Sequence, residues 1–277
     1  MNHSFISAAG TMFALQQKLD NISNNLANMD TVGFKRSEVN FQNLLTDLTA
    51  QPDGFKLQGR MTPLGFQEGW GAKTGSVQLH MEQGPIKETG QSLDMAIQGD
   101  ALFEVSVPAG INSSQTAWTR SGDFSLSINP NNPATMNLTT KDGYLLKGAN
   151  GQPIQIPAGS DIKVDASGNI TAYRAGQSTQ VGQLKLMHVI RPDMLTKLGD
   201  NLYGTASTVA NQNNILQAMT QPSNWGVSIQ QGALEQSNVN VSDEMLQLIE
   251  VQRAYELNAK ALNSADVMMN LANTMRA

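Results

Sequence analysis

The sequence predicts an α+β protein in which N- and C-terminal helices pair as a coiled coil and enclose a central, mainly antiparallel β domain. At the N-terminus, apolar residues of the first 28 positions are spaced alternately three and four apart, and a second helical pattern runs from Ser242 to the last residues. From Ser76 to about Val227 the period changes to two, as in half-buried strands. The interpretation divides the chain into a helical domain (1–36 and 238–277), a Gly-rich arm (37–75) and a β domain (76–237).

The first helix carries an apolar stripe that predicts a coiled-coil seam. The stripe consists of Phe5, Ala8, Met12, Leu15, Leu19, Ile22 and Leu26. Elsewhere on this helix Lys18 and Asp20 are the only full charges, whereas a solvated helix is normally more heavily charged. The neutral outer face therefore favours a helix surrounded by other helices, as in an assembly.

Four asparagines, Asn21, Asn24, Asn25 and Asn28, lie outside this stripe. Their position alone predicts that they face water. The alternative is that their amides bond to adjacent helices, where amides cost less to bury than charges and help to fix the register. The scarcity of charge around them favours the second interpretation.

After the first helix the chain is expected to turn, because a β-branched pair and then a glycine follow at Thr31-Val32-Gly33. The helix should end near Asn28 to Asp30. An apolar pattern between Val39 and Leu48 fits either another helical piece or an extended arm. Gln51 to Gly75 is too Gly-rich for a helix and too apolar for an inert linker, so it is either a loop on its own domain or one that reaches a neighbouring subunit.

The central region shows short alternating stretches separated by turn signals, which predicts a sandwich or irregular barrel. The alternating apolar residues include Val77, Leu79 and Met81, Met95 and Ile97, Phe103 and Val105, Phe124 and Leu126, Ile154 and Ile156, and Leu184 and Leu186. Asp142-Gly143 and Asn150-Gly151 are typical hairpin turns. The stretch Asp193 to Leu198 is compatible with one helical turn.

The C-terminal helix offers a partner for the first one, because its apolar residues fall near one face. These are Met245, Leu248, Tyr255, Ala259, Leu262, Ala265, Met269 and Ala272. The predicted assembly interface takes the larger residues from both helices: Phe5, Met12, Leu15, Leu19, Ile22, Leu26, Met245, Leu248, Tyr255, Leu262 and Met269.

Composition excludes several classes of function. The 277 residues carry a net charge of -5, and the 18 Lys and Arg residues form no basic run, so nucleic acid is not an expected partner. No stretch approaches the length of a transmembrane segment, and no signal peptide is recognisable at the N-terminus. Cysteine is absent, which is weakly consistent with an extracytoplasmic location.

The sequence gives no positive indication of an enzyme. His3, His80 and His188 lie far apart and form no metal-ligand motif, and without cysteine a structural zinc site is not expected. The Gly-rich segment contains neither common phosphate-binding motif. We therefore predict no catalytic residues, no metal and no cofactor.

Several motifs resemble the bacterial flagellar axial proteins, the rod and hook subunits of the basal body. The N-terminal signature is Asn24-Asn25-Leu26-Ala27-Asn28 followed by Gly33-Phe34-Lys35-Arg36. Similar central and C-terminal stretches are Ser92 to Asp100, Thr119-Arg120-Ser121-Gly122-Asp123-Phe124, Leu198 to Tyr203, Gly232 to Val239 and Gln252-Arg253-Ala254-Tyr255. The chain looks most like the distal-rod type.

This resemblance implies a structural rod subunit that polymerises helically through its terminal helices, which line the inner tube of the rod. It also implies partners and a location: copies of itself, other rod and hook proteins, and the flagellar type III export apparatus, in the cell envelope and without a cleaved signal peptide. The alternatives are a hook-type axial subunit or, from another class, a secreted protein that binds or hydrolyses peptidoglycan.

Overall fold

A computed structural model describes most of the chain, and its secondary structure confirms the α+β prediction. The described residues are 2–43, 46–49, 66–69, 71–108, 114–130, 132–174, 176–199, 201–205, 214–219 and 222–276. The chain divides into two compact units. Unit 1 comprises Met1–Leu26, Ser37–Gln78 and Val241–Ala277, and unit 2 comprises Ala27–Arg36 and Leu79–Asn240.

Unit 1 is built from two helices and four strands. They are α1 (Asn2–Ala27), β1 (Ser37–Asn43), β2 (Thr46–Thr49), β3 (Phe66–Gly69), β4 (Ala72–Leu79) and α2 (Val241–Arg276). β1 pairs with β4, and β2 pairs with β3. Helix α1 ends one residue before the predicted range, in a turn where Thr31 N donates to Asn28 O at 3.2 Å. No helix in the described residues has the length and apolarity needed to cross a membrane.

The segment that the sequence left open is extended wherever it is described. Residues 37–43 and 46–49 are strands, so the helical alternative is wrong for them. Gly71 and Ala72 lie against α1 of the same unit: Ala72 N donates to Thr11 Oγ1 at 3.4 Å, and a Cβ on Gly71 would lie 2.9 Å from Ser7 O. Residues 51–65 and 70, which include much of the Gly-rich loop, lie outside the described residues.

Unit 2 consists of short strands whose defined pairs are antiparallel. The strands are β5 (Ile86–Glu88), β6 (Met95–Gln98), β7 (Ala101–Pro108), β8 (Ser114–Thr119), β9 (Phe124–Ile128), β10 (Thr135–Thr140), β11 (Leu145–Leu146), β12 (Gln155–Pro157), β13 (Asp161–Val164), β14 (Asn169–Arg174), β15 (Gln177–Gln183), β16 (Leu186–Val189), β17 (Leu195–Gly199), β18 (Leu202–Thr205), β19 (Leu216–Met219), β20 (Ser228–Gln231) and β21 (Ala233–Glu235).

The main sheet of unit 2 has the order β12-β10-β11-β7-β8-β18-β17 in the described residues, with β9, β16 and β19 attached to it. A second sheet has the order β13-β14-β15. Two pairs join distant parts of the chain: β20 lies beside β6, and β21 lies beside β5. The last two strands of unit 2 therefore pair with its first two strands.

Strand β7 lies at the centre of the hydrophobic core because both of its faces are covered. Its alternate residues Ala101, Phe103 and Val105 belong to the larger apolar cluster, while Leu102 belongs to a second cluster with Trp118. The ring of Phe103 packs edge-on against Phe124, with centroids 5.1 Å apart. An uninterrupted buried run from Ala101 to Val105 is the pattern expected of such a strand.

The structure corrects one local prediction. A 3₁₀ turn occupies only Pro192–Met194, and Leu195–Gly199 is a strand, so the helical turn expected over Asp193 to Leu198 is wrong from Leu195 onward. Pairing of Leu195 with Thr205 in β18 gives this backbone hydrogen-bond partners that an isolated turn lacks. The strands also continue past the expected limit at Val227, to Glu235.

Candidate functional site

Helices α1 and α2 contact each other through part of the predicted seam. Leu15 and Ile22 of α1 form an apolar cluster with Val251 of α2, and all three are more than 90% buried. The partly buried residues around this cluster are Leu19, Leu248, Ala254 and Tyr255. The contact between the two helices is confirmed, and their coiled-coil geometry stays a prediction.

The residues predicted as an assembly interface occupy three environments. Leu15 and Ile22 are buried in the contact with α2 of the same chain. Half-buried positions are Met12, Leu19, Leu26, Leu248, Tyr255, Leu262 and Met269. Phe5 and Met245 are exposed. Their role in assembly stays a prediction, and the buried pair already has an intrachain partner.

A buried amide joins three segments of unit 1. Asn25 Nδ2 donates to Ser37 O at 2.8 Å and to Glu244 Oε1 at 3.2 Å, while Asn25 Oδ1 accepts from Ser37 N at 3.1 Å. Asn21 Nδ2 adds a bond to Ser37 Oγ at 3.0 Å. Asn25 thus bonds to the adjacent helix, as the second interpretation of the asparagines proposed, whereas Asn24 is exposed.

This contact also fixes the relative direction of the helices in unit 1. Asn25, near the end of α1, meets Glu244, near the start of α2. The apolar cluster uses earlier residues of α1 and later residues of α2. The two helices therefore run in opposite directions. A carboxylate in the first turn of α2 also interacts favourably with the helix dipole.

Asn25→Ala is expected to lower the free energy of unfolding of unit 1 by about 1–3 kcal/mol, because it leaves the buried N–H and C=O of Ser37 without these partners. Urea unfolding followed by far-UV circular dichroism measures the change. Ser23→Ala, at an exposed position of the same helix, is the control and should change stability by less than about 0.5 kcal/mol. Equal effects from the two variants would contradict a role for the buried amide.

Outside their mutual contact, the two helices expose many large apolar side chains, among them Phe5 and Met245 of the predicted interface. On α1 these are Phe5, Ile6 and Phe13, and on α2 they are Val241, Met245, Leu246, Ile249, Leu257, Val267, Met268, Leu271 and Met275. Exposed apolar side chains that cluster in a patch mark interaction sites in soluble proteins. The sequence prediction concentrated on the seam and missed most of these residues.

Unit 2 contains a buried cluster of two cations and one carboxylate. Glu235 Oε1 accepts from Lys35 Nζ at 2.7 Å and from Gly84 N at 2.9 Å, and Glu235 Oε2 accepts from Arg120 Nε at 2.5 Å. The side chains of Lys35 and Glu235 are each 1% exposed. Because the three residues come from both ends and the middle of unit 2, the cluster holds distant segments together.

Both cations have further partners, so the cluster is well satisfied. Lys35 Nζ donates to Glu82 O at 2.6 Å, and Arg120 donates to Gly99 O at 2.7 Å and to Ile97 O at 2.9 Å. Burial, and then the charge of Arg120, lower the pKa of Lys35 below its usual value of 10.5, while Glu235 acts in the opposite sense. One carboxylate therefore bonds to two buried cations, and its loss would leave both without their bonded counter-charge.

Two other motif residues, Gly33 and Asn238, make backbone contacts in the same region of unit 2. Gly33 has a φ of +68°, and a Cβ there would lie 2.6 Å from Ser121 N, so both its conformation and the close approach require glycine. Asn238 Oδ1 accepts from Arg36 N at 2.8 Å, and Asn238 Nδ2 donates to His80 O at 3.0 Å. The motif residues in unit 2 thus have structural roles.

The remaining residues of the N- and C-terminal motifs are mixed in exposure. Phe34 is buried, and Lys197 lies over its ring at 4.3 Å from the centroid. Asn28 and Tyr255 are half-buried, whereas Gln252 and Arg253 are exposed on α2. The motif therefore combines residues that hold the chain together with residues available to other molecules.

The described residues show few side-chain arrangements suited to metal binding or catalysis. No group of three or more His, Asp or Glu side chains among them is placed to hold a metal ion. His188 is partly buried, bonds to Asp100 O at 2.8 Å and packs on the ring of Trp225. The buried charges of unit 2 are bonded to one another and to the backbone. A helix pair with an exposed apolar side and a β unit closed by buried ion pairs is typical of a structural subunit.

Comparison with known proteins agrees with this class. Residues 6–35 match the family of flagella basal body rod proteins, residues 96–172 match the flagellar hook protein FlgE/F/G D1 domain, and residues 230–275 match the flagellar basal body rod FlgEFG protein C-terminal family. The chain is 37% identical to the flagellar basal-body rod protein FlgG of Caulobacter vibrioides, over 98% of both chains. It is 33% identical to the Bacillus subtilis protein of the same name, over 100% of both chains.

The chain therefore belongs to the flagellar basal-body rod protein family. The resemblance found in the sequence, including the likeness to the distal-rod type, is confirmed by these matches. The family is structural, and its members include proteins of the rod and of the hook-basal body complex.

Proposed function

We propose that this chain is a structural, non-enzymatic subunit of the flagellar rod that polymerises helically through α1 and α2. The observation that carries the proposal is the exposed apolar surface of both helices, on residues other than those buried in their mutual contact. Each large apolar side chain buried on assembly contributes on the order of 1.5–3 kcal/mol relative to exposure. Several such residues per subunit would offset the cost of ordering two helices.

Under this proposal the helix pair lines the tube as a coiled coil, and the β domain lies outside it. The partners are other copies of this chain, neighbouring rod and hook proteins, and the flagellar type III export apparatus. The subunit acts in the cell envelope. Family membership and the motifs in both helices support these assignments, and the names of the relatives support the rod over the hook-type alternative.

Leu15→Asp is expected to abolish assembly while unit 2 remains folded, because it places a charge in the buried contact between α1 and α2. Electron microscopy and sedimentation of concentrated protein measure assembly, and near-UV circular dichroism, to which the buried Trp118 contributes, verifies that unit 2 is folded. The matched control is Gln16→Asp, which adds the same charge at the exposed neighbouring position. Filaments from Leu15→Asp at the wild-type concentration would rule out assembly through the paired helices.

A further inference from the structure

The turn at Asn150 and Gly151 in unit 2 contains the single Asn-Gly pair of the sequence. Asparagine followed by glycine is the pair that deamidates most readily, because glycine has no side chain to hinder the attack of its backbone nitrogen on the asparagine side chain. Asn150 is exposed, and a Cβ added to Gly151 would meet nothing within 4 Å. Water therefore has free access to the atoms that would react.

The backbone hydrogen bonds of this turn occupy the nitrogen that would attack. Gly151 N donates to Gly148 O at 2.8 Å, and Gly148 N donates to Gln152 O at 2.9 Å. With a φ of +75° at Gly151, this is a hairpin loop that ends in a glycine of left-handed conformation. Since the Gly151 nitrogen must lose its proton before it attacks, a bond that holds this proton on Gly148 O opposes the reaction.

Further contacts hold the turn against the rest of unit 2. Ala149 N donates to Gln183 O, at the end of β15, at 2.8 Å. Lys147 and Pro153 form an antiparallel bridge on the two sides of the loop. The next residue, Ile154, is 5% exposed and belongs to the larger apolar cluster. Because both sides of the loop are held, the closed turn is the state expected in the folded chain.

We propose that Asn150 is a deamidation site that the closed turn protects and that reacts when the turn is open or the chain is unfolded. The Gly151 nitrogen attacks Asn150 Cγ, a new C–N bond forms, the bond from Cγ to the side-chain nitrogen breaks, and ammonia leaves with the proton that Gly151 N lost. Water then opens the cyclic imide to aspartate or isoaspartate. Isoaspartate lengthens the backbone between Gly148 and Gly151, so the turn can no longer close in the same way. The reaction involves no other protein and is independent of the proposed assembly.

The test incubates the full-length chain at mildly alkaline pH, folded in buffer and unfolded in concentrated urea. Peptide mapping by mass spectrometry measures the rate of ammonia loss at each asparagine. In urea, Asn150 is expected to react faster than every other asparagine. In the folded chain its rate is expected to be at least about tenfold lower, because only molecules with an open turn react. Another asparagine that reacts first in urea, or equal rates for Asn150 in the two states, would overturn the proposal.

Gly148→Ala tests the role of the turn in the folded chain, because it leaves the Asn-Gly pair unchanged. A Cβ at Gly148 would lie 3.2 Å from Gln183 O, so the turn or Gln183 must shift. Hydrogen exchange of the Gly151 amide and deamidation of Asn150 should both become several-fold faster than in the folded wild-type chain. Gly182→Ala, where a Cβ would meet nothing within 4 Å, is the matched control and should keep both wild-type rates. Faster exchange at Gly151 without faster deamidation would show that the turn does not protect Asn150.

Discussion

Glu235→Gln is expected to lower the free energy of unfolding of unit 2 by about 3–5 kcal/mol, the range found when one partner of a buried ion pair is removed. The glutamine side chain has nearly the same size, so the change opens no cavity; it removes the charge and turns one acceptor oxygen into an NH2 group that faces a donor. It leaves Lys35 and Arg120 buried without their counter-charge, since both bond directly to Glu235. Urea unfolding followed by tryptophan fluorescence measures the effect, because Trp118 is buried in unit 2.

Two further variants distinguish the charge from the general effect of mutation. Glu88→Gln changes an exposed carboxylate on the strand beside Glu235 and should alter stability by less than about 0.5 kcal/mol. Lys35→Met leaves a balanced pair between Arg120 and Glu235, so it should cost less than Glu235→Gln. If Lys35→Met proved the more damaging change, the carboxylate would not be the centre of the cluster.

The loss of stability caused by Glu235→Gln should depend on pH, because the pKa of Lys35 is lowered in the folded protein. In the window between that lowered pKa and 10.5, the unfolded state binds the lysine proton more tightly than the folded state. Stability therefore rises with pH across this window, by linkage. Removing Glu235 takes away an interaction that raises the pKa of Lys35, so this pKa falls further below 10.5 in the folded variant. The pH range over which stability rises therefore becomes wider. The defect of Glu235→Gln should accordingly be smaller at pH 10 than at pH 7.

The elements of the fold could be predicted from the sequence because their signals are local. Helix α1 ends within one residue of the predicted range, and the alternating run around Phe103 is a strand. These features depend on periodicity over a few turns or residues. The helical turn expected over Asp193 to Leu198 is wrong from Leu195 onward, because the conformation there depends on pairing with β18, which the local sequence does not encode.

The charge cluster could not be predicted for a related reason. Lys35 and Glu235 are 200 positions apart, and nothing in either local sequence reports their distance in space. The motifs that contain Lys35, Arg120 and Glu235 were recognised as a resemblance, but a motif does not state which residues meet. Similarly, the sequence left two interpretations of the asparagines open, and the burial of Asn25 against Ser37 and Glu244 decided between them for that residue.

Gly122→Ala is expected to destabilise unit 2 by about 3 kcal/mol or more, at or beyond the upper end of the usual cost of overpacking. A Cβ at this position would lie 1.7 Å from Met95 O and 2.8 Å from Met95 C, which are backbone atoms that no side-chain rotation can move away. The two segments are also tied together there, because Met95 N donates to Gly122 O at 3.0 Å and Met95 is fully buried. An added methyl group must therefore separate two backbone segments of the core.

The same displacement would reach the charge cluster, because Arg120 lies two residues before Gly122 and donates to Ile97 O, two residues after Met95. Gly182→Ala is the matched control: Gly182 also lies in unit 2, and a Cβ there would meet nothing within 4 Å. We expect Gly182→Ala to unfold at the wild-type urea concentration and Gly122→Ala to unfold well below it or to accumulate as insoluble protein. If Gly122→Ala unfolded at the same urea concentration as the wild-type chain, the backbone at Met95 would have moved aside at little cost. The inference that the contact between Gly122 and Met95 is rigid would then be wrong.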